Sequence, residues 1–200
     1  MSLASIRKEL RSQRGMLSVY SQKRAANAFS SQLCRLPAFI FAKRMAFYMA
    51  NDGELDVSQT MAIAQTAGKQ CYLPVLHPLK HNRLLFMQHR SADTLVNNRY
   101  AIPEPVLDCK RMAASWTLDV ILLPLVGFDE QCNRIGMGGG FYDRTLAFKK
   151  HSLRKSPMLV GVAHDLQKVA KIPINSWDIP LDMVITEKQI YTAKKSESTK

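Results

Sequence analysis

The feature that most constrains this chain is the apolar run 120–128 together with the segment downstream of it, Gly136-Met137-Gly138-Gly139-Gly140-Phe141-Tyr142-Asp143-Arg144. The run reads as a strand over 120–126. Four glycines in the five positions 136–140 let backbone N–H groups turn toward an anion, because no Cβ stands between them and a ligand. Phe141, Tyr142 and Asp143 then open what reads as a helix near 141–150, which sets stacking surface and a cation ligand beside the same loop. The pattern predicts strand, phosphate cradle and helix in that order. A generic glycine-rich turn accounts for the same composition. The segment is not a Walker A sequence, since no Lys-Ser or Lys-Thr follows the last glycine, and its spacing differs from the dinucleotide fingerprint.

Around this loop, strand-like and helix-like segments alternate. Residues 3–34 contain no proline and one glycine, with Leu3, Ile6, Leu10, Leu17, Tyr20 and Ala28 near helical spacing, which fits one or two helices closed by Pro37. Residues 45–49 read as a strand and Asn51-Asp52-Gly53-Glu54-Leu55-Asp56 as a turn. Asp56 and Gln59 have capping-box spacing for a helix through Ala67 that Gly68 ends. Further strands are expected at 70–76, 84–88, 158–163 and 183–186. The alternation predicts an α/β fold, a mostly parallel sheet flanked by helices on both faces, because crossovers must run back across the sheet. Ligands of such sheets lie beyond the carboxyl ends of the strands. The loops after Met49, Phe128 and Ala163 sit at those ends and are expected to converge on one pocket. We expect one domain over 1–192 and a polar tail over 193–200.

The formal charge of +12 is uneven: residues 1–50 hold nine Lys or Arg against Glu9 alone. Such a surface attracts nucleic acid, anionic lipid or a small polyanion such as ATP without choosing among them, and a solvated helix face carries the same charge. No aromatic residue is interleaved with the first four basic residues, which argues against base reading. No run approaches the roughly 20 apolar residues of a bilayer span. The N-terminus also lacks a signal peptide's apolar centre, so the expectation is a cytoplasmic protein without a membrane partner. Cys34, Cys71, Cys109 and Cys132 are widely spaced with no Cys-x-x-Cys pair, and they read as reduced thiols rather than disulfides or a zinc site.

Individual side chains leave alternatives open. Asp143 either caps its helix or coordinates Mg²⁺ beside phosphate oxygens. Glu54 is a solvated turn carboxylate or an acceptor for an amino-substituted heterocycle. Asp178, in Trp177-Asp178-Ile179-Pro180, joins Asp143 at a metal or simply closes a turn. His164 reads as structural. No Gly-x-Ser-x-Gly elbow or convincing Cys–His nucleophile pair is present. Besides an enzyme that uses ATP, a non-catalytic nucleic-acid-binding protein and an α/β enzyme acting on a sugar phosphate without ATP are competing readings.

Four segments taken in order, Asn51-Asp52-Gly53-Glu54-Leu55-Asp56, Tyr72-Leu73-Pro74-Val75, Asn133 through Asp143 and Trp177-Asp178-Ile179-Pro180-Leu181-Asp182, closely resemble the 5-formyltetrahydrofolate cyclo-ligase (methenyltetrahydrofolate synthetase) family, in its bacterial form. The resemblance implies a three-layer fold like that of ribose-phosphate isomerase and CoA-transferase relatives. It also implies an ATP- and Mg²⁺-dependent enzyme that converts 5-formyltetrahydrofolate to 5,10-methenyltetrahydrofolate and releases ADP and phosphate. The formyl oxygen would be phosphorylated, the neighbouring folate nitrogen would attack the activated carbon, and phosphate would leave as the ring closes, so the resemblance implies no protein nucleophile.

By motif position the resemblance places Arg7, Arg11 and the loop Arg134, Gly136, Met137, Gly138, Gly139, Gly140, Phe141 and Tyr142 on ATP. It places Met49, Glu54 and residues 137–141 on the folate, and Asp143 and Asp178 on Mg²⁺. A monomer without a nucleic-acid partner is expected. Members of the family often carry Arg or Lys where this chain has Met137 and Gly139, and tyrosine where it has Phe141. The loop therefore brings no cation of its own, and phosphate charge falls to Arg7, Arg11, Arg134 or Arg144 together with Mg²⁺ and backbone amides.

Overall fold

The computed structural model describes residues 2–150, 152 and 157–193, so of the tail expected over 193–200 only Ala193 falls within the described residues. The N-terminal segment folds as two helices, α1 (Leu3–Gly15) and α2 (Val19–Cys34). Each starts on a serine whose hydroxyl accepts from the N–H three residues on: Ser2 from Ser5 at 3.2 Å, and Ser18 from Ser21 at 3.1 Å. Pro37 does not merely close this section. It opens a short helix, α3 (Pro37–Phe41), at a position where its missing N–H costs nothing.

The first strand, β1 (Arg44–Ala46), is shorter than the expected 45–49. Phe47 and Tyr48 stay buried, but the chain leaves the ladder after Phe47 N–H donates to Tyr72 O at 2.8 Å, and so carries Met49 outward. Helix α4 (Ser58–Thr66) is not started by the expected capping box. Asp56 turns its carboxylate onto the N–H and hydroxyl of Ser58, at 2.8 and 2.9 Å, which leaves nothing for Gln59 to reciprocate.

The remaining strands are β2 (Gln70–Leu76), β3 (Leu84–Gln88), β4 (Leu95–Asn97), β5 (Pro103–Pro105), β6 (Met112–Ala113), β7 (Val120–Pro124), β8 (Gly127–Phe128), β9 (Arg134–Ile135), β10 (Met158–Val162), β11 (Met183–Ile185) and β12 (Ile190–Thr192). Helix α5 (Phe141–Thr145) ends well short of 150, and the chain continues as a 3₁₀ turn, Ala147–Lys150.

Eight strands form one sheet in the order β12-β11-β10-β7-β1-β2-β3-β6. The central five, from β11 to β2, are parallel, and antiparallel strands close both edges. From β1 the chain builds outward through β2 and β3, then restarts at β7 and builds the other way. The reversal between β1 and β7 opens a crevice at their carboxyl ends, the place where ligands of open α/β sheets bind.

Alternation along β7 shows why the run 120–124 is apolar throughout. Val120 and Leu122 pack with Ala25, Phe29 and Leu33 of α2 and Met61 and Ala64 of α4. Ile121 and Leu123 pack on the opposite face with Phe128, Leu146 and Leu181. A strand covered on both sides has no polar face to show. Long helices cover the first face; the second is covered by α5, the 3₁₀ turn and extended segments. Among the described residues no helix is long and apolar enough to cross a membrane.

Candidate functional site

A cavity of about 1610 Å³ opens at the carboxyl ends of the central strands. That exceeds the roughly 300–1,000 Å³ of a pocket for one drug-sized ligand, a volume in keeping with more than one bound molecule. Three segments meet there as expected: 48–54 after β1, 133–144 around the glycine loop, and 172–180 after β10. Residues 98–104, from the β4–β5 ribbon, add a fourth wall.

Backbone accounting shows what the glycine loop offers. The Gly136 carbonyl accepts from Arg7 Nε at 2.9 Å, and the Gly139 carbonyl accepts from Asn82 Nδ2 at 2.8 Å and Arg144 Nη1 at 2.6 Å. Among the described residues the N–H groups of Met137, Gly138, Gly139 and Gly140 have no acceptor within the chain. Carbonyls bonded to the scaffold and amides left over, in residues that line the cavity, are the makings of an anion-binding nest. Gly138 and Gly140 have φ of +97° and +65°, which only glycine adopts without strain. At Gly139, a Cβ would stand 2.8 Å from the Phe141 ring.

The acidic residues divide the work. Asp143 Oδ1 accepts from Arg134 Nη2 and, at 3.2 Å, from Ile179 N–H. Arg134 also donates through Nη1 to the Ile179 carbonyl, which ties the glycine loop to the 172–180 segment. Burial pulls the Arg134 pKa down, and the neighbouring Asp143 and Asp178 carboxylates offset part of that. Asp178 Oδ2 accepts from Asn175 N–H at 2.8 Å, so the turn role expected for it is present. Among the described residues the hydrogen bonds leave Asp143 Oδ2 and Asp178 Oδ1 for a ligand. Two carboxylates with no thiolate or imidazole suit a hard cation such as Mg²⁺, which is held by one or two carboxylates plus phosphate oxygens. Among the described residues no cluster of three His, Cys, Asp or Glu is assembled, so protein ligands alone would not complete such a site.

Glu54 is mostly buried, with its side chain 13% exposed on the cavity wall. Burial raises its carboxyl from 4.5 to about 7, against the pull of Arg14 and of the Asn51 N–H, which donates to Oε2 at 3.1 Å. Behind it lies Arg14, wholly buried. Arg14 donates to Asp52 O at 2.7 Å, Asp52 Oδ2 at 2.9 Å and Leu125 O at 3.0 Å.

Of the residues singled out from sequence, Arg7, Met49, Glu54, Arg134, the whole of 136–143 and Asp178 line the cavity. Arg11 does not. It pairs with Asp52 at 2.7 Å in a small neighbouring depression that also touches Arg7. His164 is buried outside the cavity with its pKa lowered by burial, in keeping with a structural role. Among the described residues all four cysteines are free, and burial raises Cys71 to about 12 and Cys132 to about 11, so neither supplies a thiolate.

Sequence reasoning missed Asn82, Tyr100 and the structural role of Arg14. Tyr100 meets Phe141 edge to face with centroids 6.0 Å apart, and both line the cavity. Asn82 and Tyr100 sit in irregular loops that carry no periodic signal. Arg14 was detectable: it comes four residues after Leu10 on the apolar face of α1. Its burial, and the pairing of both Arg14 and Arg11 with Asp52, take two of the nine basic residues out of the free positive surface counted at the N-terminus.

A family model described as the 5-formyltetrahydrofolate cyclo-ligase family matches residues 2–187. The chain is 40% identical over 182 residues to the 5-formyltetrahydrofolate cyclo-ligase of Escherichia coli K12, covering 91% of this chain and 98% of that protein. To the protein of the same name from Haemophilus influenzae it is 36% identical, covering 88% and 92%. Among solved structures, the NMR structure of Aquifex aeolicus 5,10-methenyltetrahydrofolate synthetase superposes with a TM-score of 0.83 at 29% identity, covering 100% of this chain and 97% of that one.

Proposed function

The chain belongs to the 5-formyltetrahydrofolate cyclo-ligase family, and on that premise we propose that its cavity uses ATP to convert 5-formyltetrahydrofolate to 5,10-methenyltetrahydrofolate, with release of ADP and phosphate. The observation that carries this reading is the glycine loop, whose unspent amides face a cavity of a volume in keeping with more than one ligand.

The chemistry explains why these residues suffice. A formyl oxygen is a poor leaving group, and its phosphate ester is a good one. The formyl oxygen attacks the terminal phosphorus and ADP departs; the neighbouring folate nitrogen, which lies outside the pterin ring, then attacks the formyl carbon and gives up its proton, and phosphate leaves with the oxygen. No protein nucleophile enters, so the protein's task is alignment and charge neutralisation.

In this reading the amides of 137–140 hold phosphate oxygens, and Arg7 braces the loop from α1. Glu54 accepts from the amino-substituted ring, with Met49 packed beside it and Phe141, backed by Tyr100, offering an apolar ring face. Asp143 and Asp178 would hold Mg²⁺, which supplies charge neutralisation at the phosphates when bound. The reading takes the protein as a monomer acting on small molecules in the cytoplasm.

Mixing the purified protein with 5-formyltetrahydrofolate and MgATP should produce the methenyl chromophore in the near ultraviolet. Folded protein that gives no ATP-dependent signal would overturn the reading, and product formed equally well without ATP would point to a different class of enzyme.

A further inference from the structure

Residues 136–143 contain no lysine or arginine, although a triphosphate needs more than neutral amides to balance its charge. Six arginines, at positions 7, 11, 14, 83, 134 and 144, stand at or near the loop, and the structure separates them. Arg14 is buried beneath Asp52 and Glu54. Arg11 pairs with Asp52 outside the cavity, and Arg134 is committed to Asp143 and the Ile179 carbonyl. That leaves Arg7, Arg83 and Arg144 on the cavity wall, and of these Arg7 and Arg144 are the two whose guanidinium groups reach the loop itself, at the Gly136 and Gly139 carbonyls.

Arg144 has the stronger claim. Among the described residues its one side-chain hydrogen bond runs from Nη1 to the Gly139 carbonyl, and that oxygen already has a donor in Asn82 Nδ2. Holding the loop therefore does not require Arg144. The guanidinium lies so close to the loop that a Cβ at Gly140 would stand 2.8 Å from Nη1. Nε and Nη2 remain as a fork of donors beside the unspent amides, in the geometry that suits bidentate contact with phosphate.

We infer that Arg144 is the phosphate-contacting cation of this site, standing outside the loop in place of a charge within it, with Arg7 as its lesser counterpart at the Gly136 end. The assignment rests on the proposed ATP-dependent reaction and deepens it. It makes Arg144 a determinant of nucleotide binding and not of folate binding.

The test compares wild type with Arg144→Ala, Arg144→Lys and the double variant Met137→Arg/Arg144→Ala. Met137 is 55% exposed and lines the cavity, so arginine there returns the charge from the loop itself. Arg144→Ala is expected to raise the KM for ATP about 10- to 100-fold, the range for losing a charge-assisted hydrogen bond, with the folate KM unchanged. Lysine should retain part of the affinity, and the double variant should recover most of it.

An unchanged KM for ATP in Arg144→Ala would overturn the assignment. So would a loss shared equally by the folate, or one that Met137→Arg does not relieve, because either marks a structural role. Calorimetry with ATP alone separates this from the reaction: a protein that binds ATP through Arg144 yet makes no methenyl product refutes the proposed activity and keeps the assignment.

Discussion

Arg14 Nη2 lies 2.9 Å from Asp52 Oδ2, and this contact joins a wholly buried guanidinium to a carboxylate that is 37% exposed. Asp52 sits at φ 51°, a conformation asparagine also tolerates, so Asp52→Asn removes the charge without straining the turn. Arg14 would then be left with carbonyl partners and with Glu54 at 3.8 Å. We expect the substitution to cost about 1–3 kcal/mol of stability in urea unfolding, the range for a charged hydrogen-bond partner lost beside a buried ion. A loss below about 0.5 kcal/mol would mean that the pair behaves as a solvent-screened surface bridge.

Asp143 is expected to matter for turnover more than for folding. Asp143→Asn retains a side-chain oxygen for the Ile179 N–H while weakening the pairing with Arg134 and the candidate metal ligand. We expect kcat to fall about 100-fold or more, comparable to the loss of one transition-state charge stabiliser, with melting lowered by only a few degrees. Turnover unchanged at limiting Mg²⁺ would remove Asp143 from the metal site.

Glu54 makes two pH predictions of opposite sign. Ionisation leaves both Glu54 oxygens as acceptors, whereas protonation turns one of them into a donor, so apparent folate affinity should rise as pH rises through about 7 and then level off, and Glu54→Gln should show no such step. Stability runs the other way. The folded-state pKa is raised, so the protonated carboxyl favours the fold; that contribution is complete below about 4.5 and is lost as pH climbs to about 7. Glu54→Gln should therefore melt at about the same temperature as wild type near pH 4 and a few degrees higher at pH 8. A melting difference independent of pH would refute the raised pKa.

The sheet was legible because its strands are buried on both faces, so β2, β3, β7 and β10 announce themselves as apolar runs within a residue or two of their true ends. Boundaries failed where tertiary contacts decided them. Residues 47–49 are as apolar as a strand but leave the ladder to reach the cavity, and α5 stops at Thr145 because Leu146 turns into the core. The Asp56 capping box failed for a local reason, the nearer Ser58.

Within the site, the glycine loop, Glu54 and the two aspartates were visible as motif positions. The partners that fix them were not. Asn82 reaches Gly139 across 57 residues and Arg7 reaches Gly136 across 129, distances over which spacing carries no information.

Arg7 and Arg11 lie one helical turn apart on α1 but face different partners, and this separates two residues that sequence treated as a pair. Arg7 braces the Gly136 carbonyl through Nε, and its side chain lines the cavity. Arg11 spends its charge on Asp52, which raises its pKa through the hydrogen bond and then through Coulomb attraction while lowering that of Asp52. Arg7→Ala should therefore raise the ATP requirement several-fold and leave the folate requirement nearly unchanged. Arg11→Ala should act less on ATP, and whatever it does should reach the folate side through the Asp52–Glu54 turn. Steady-state titration of each substrate against both variants decides it: a larger ATP effect from Arg11→Ala than from Arg7→Ala would show that α1 presents the opposite face to the nucleotide.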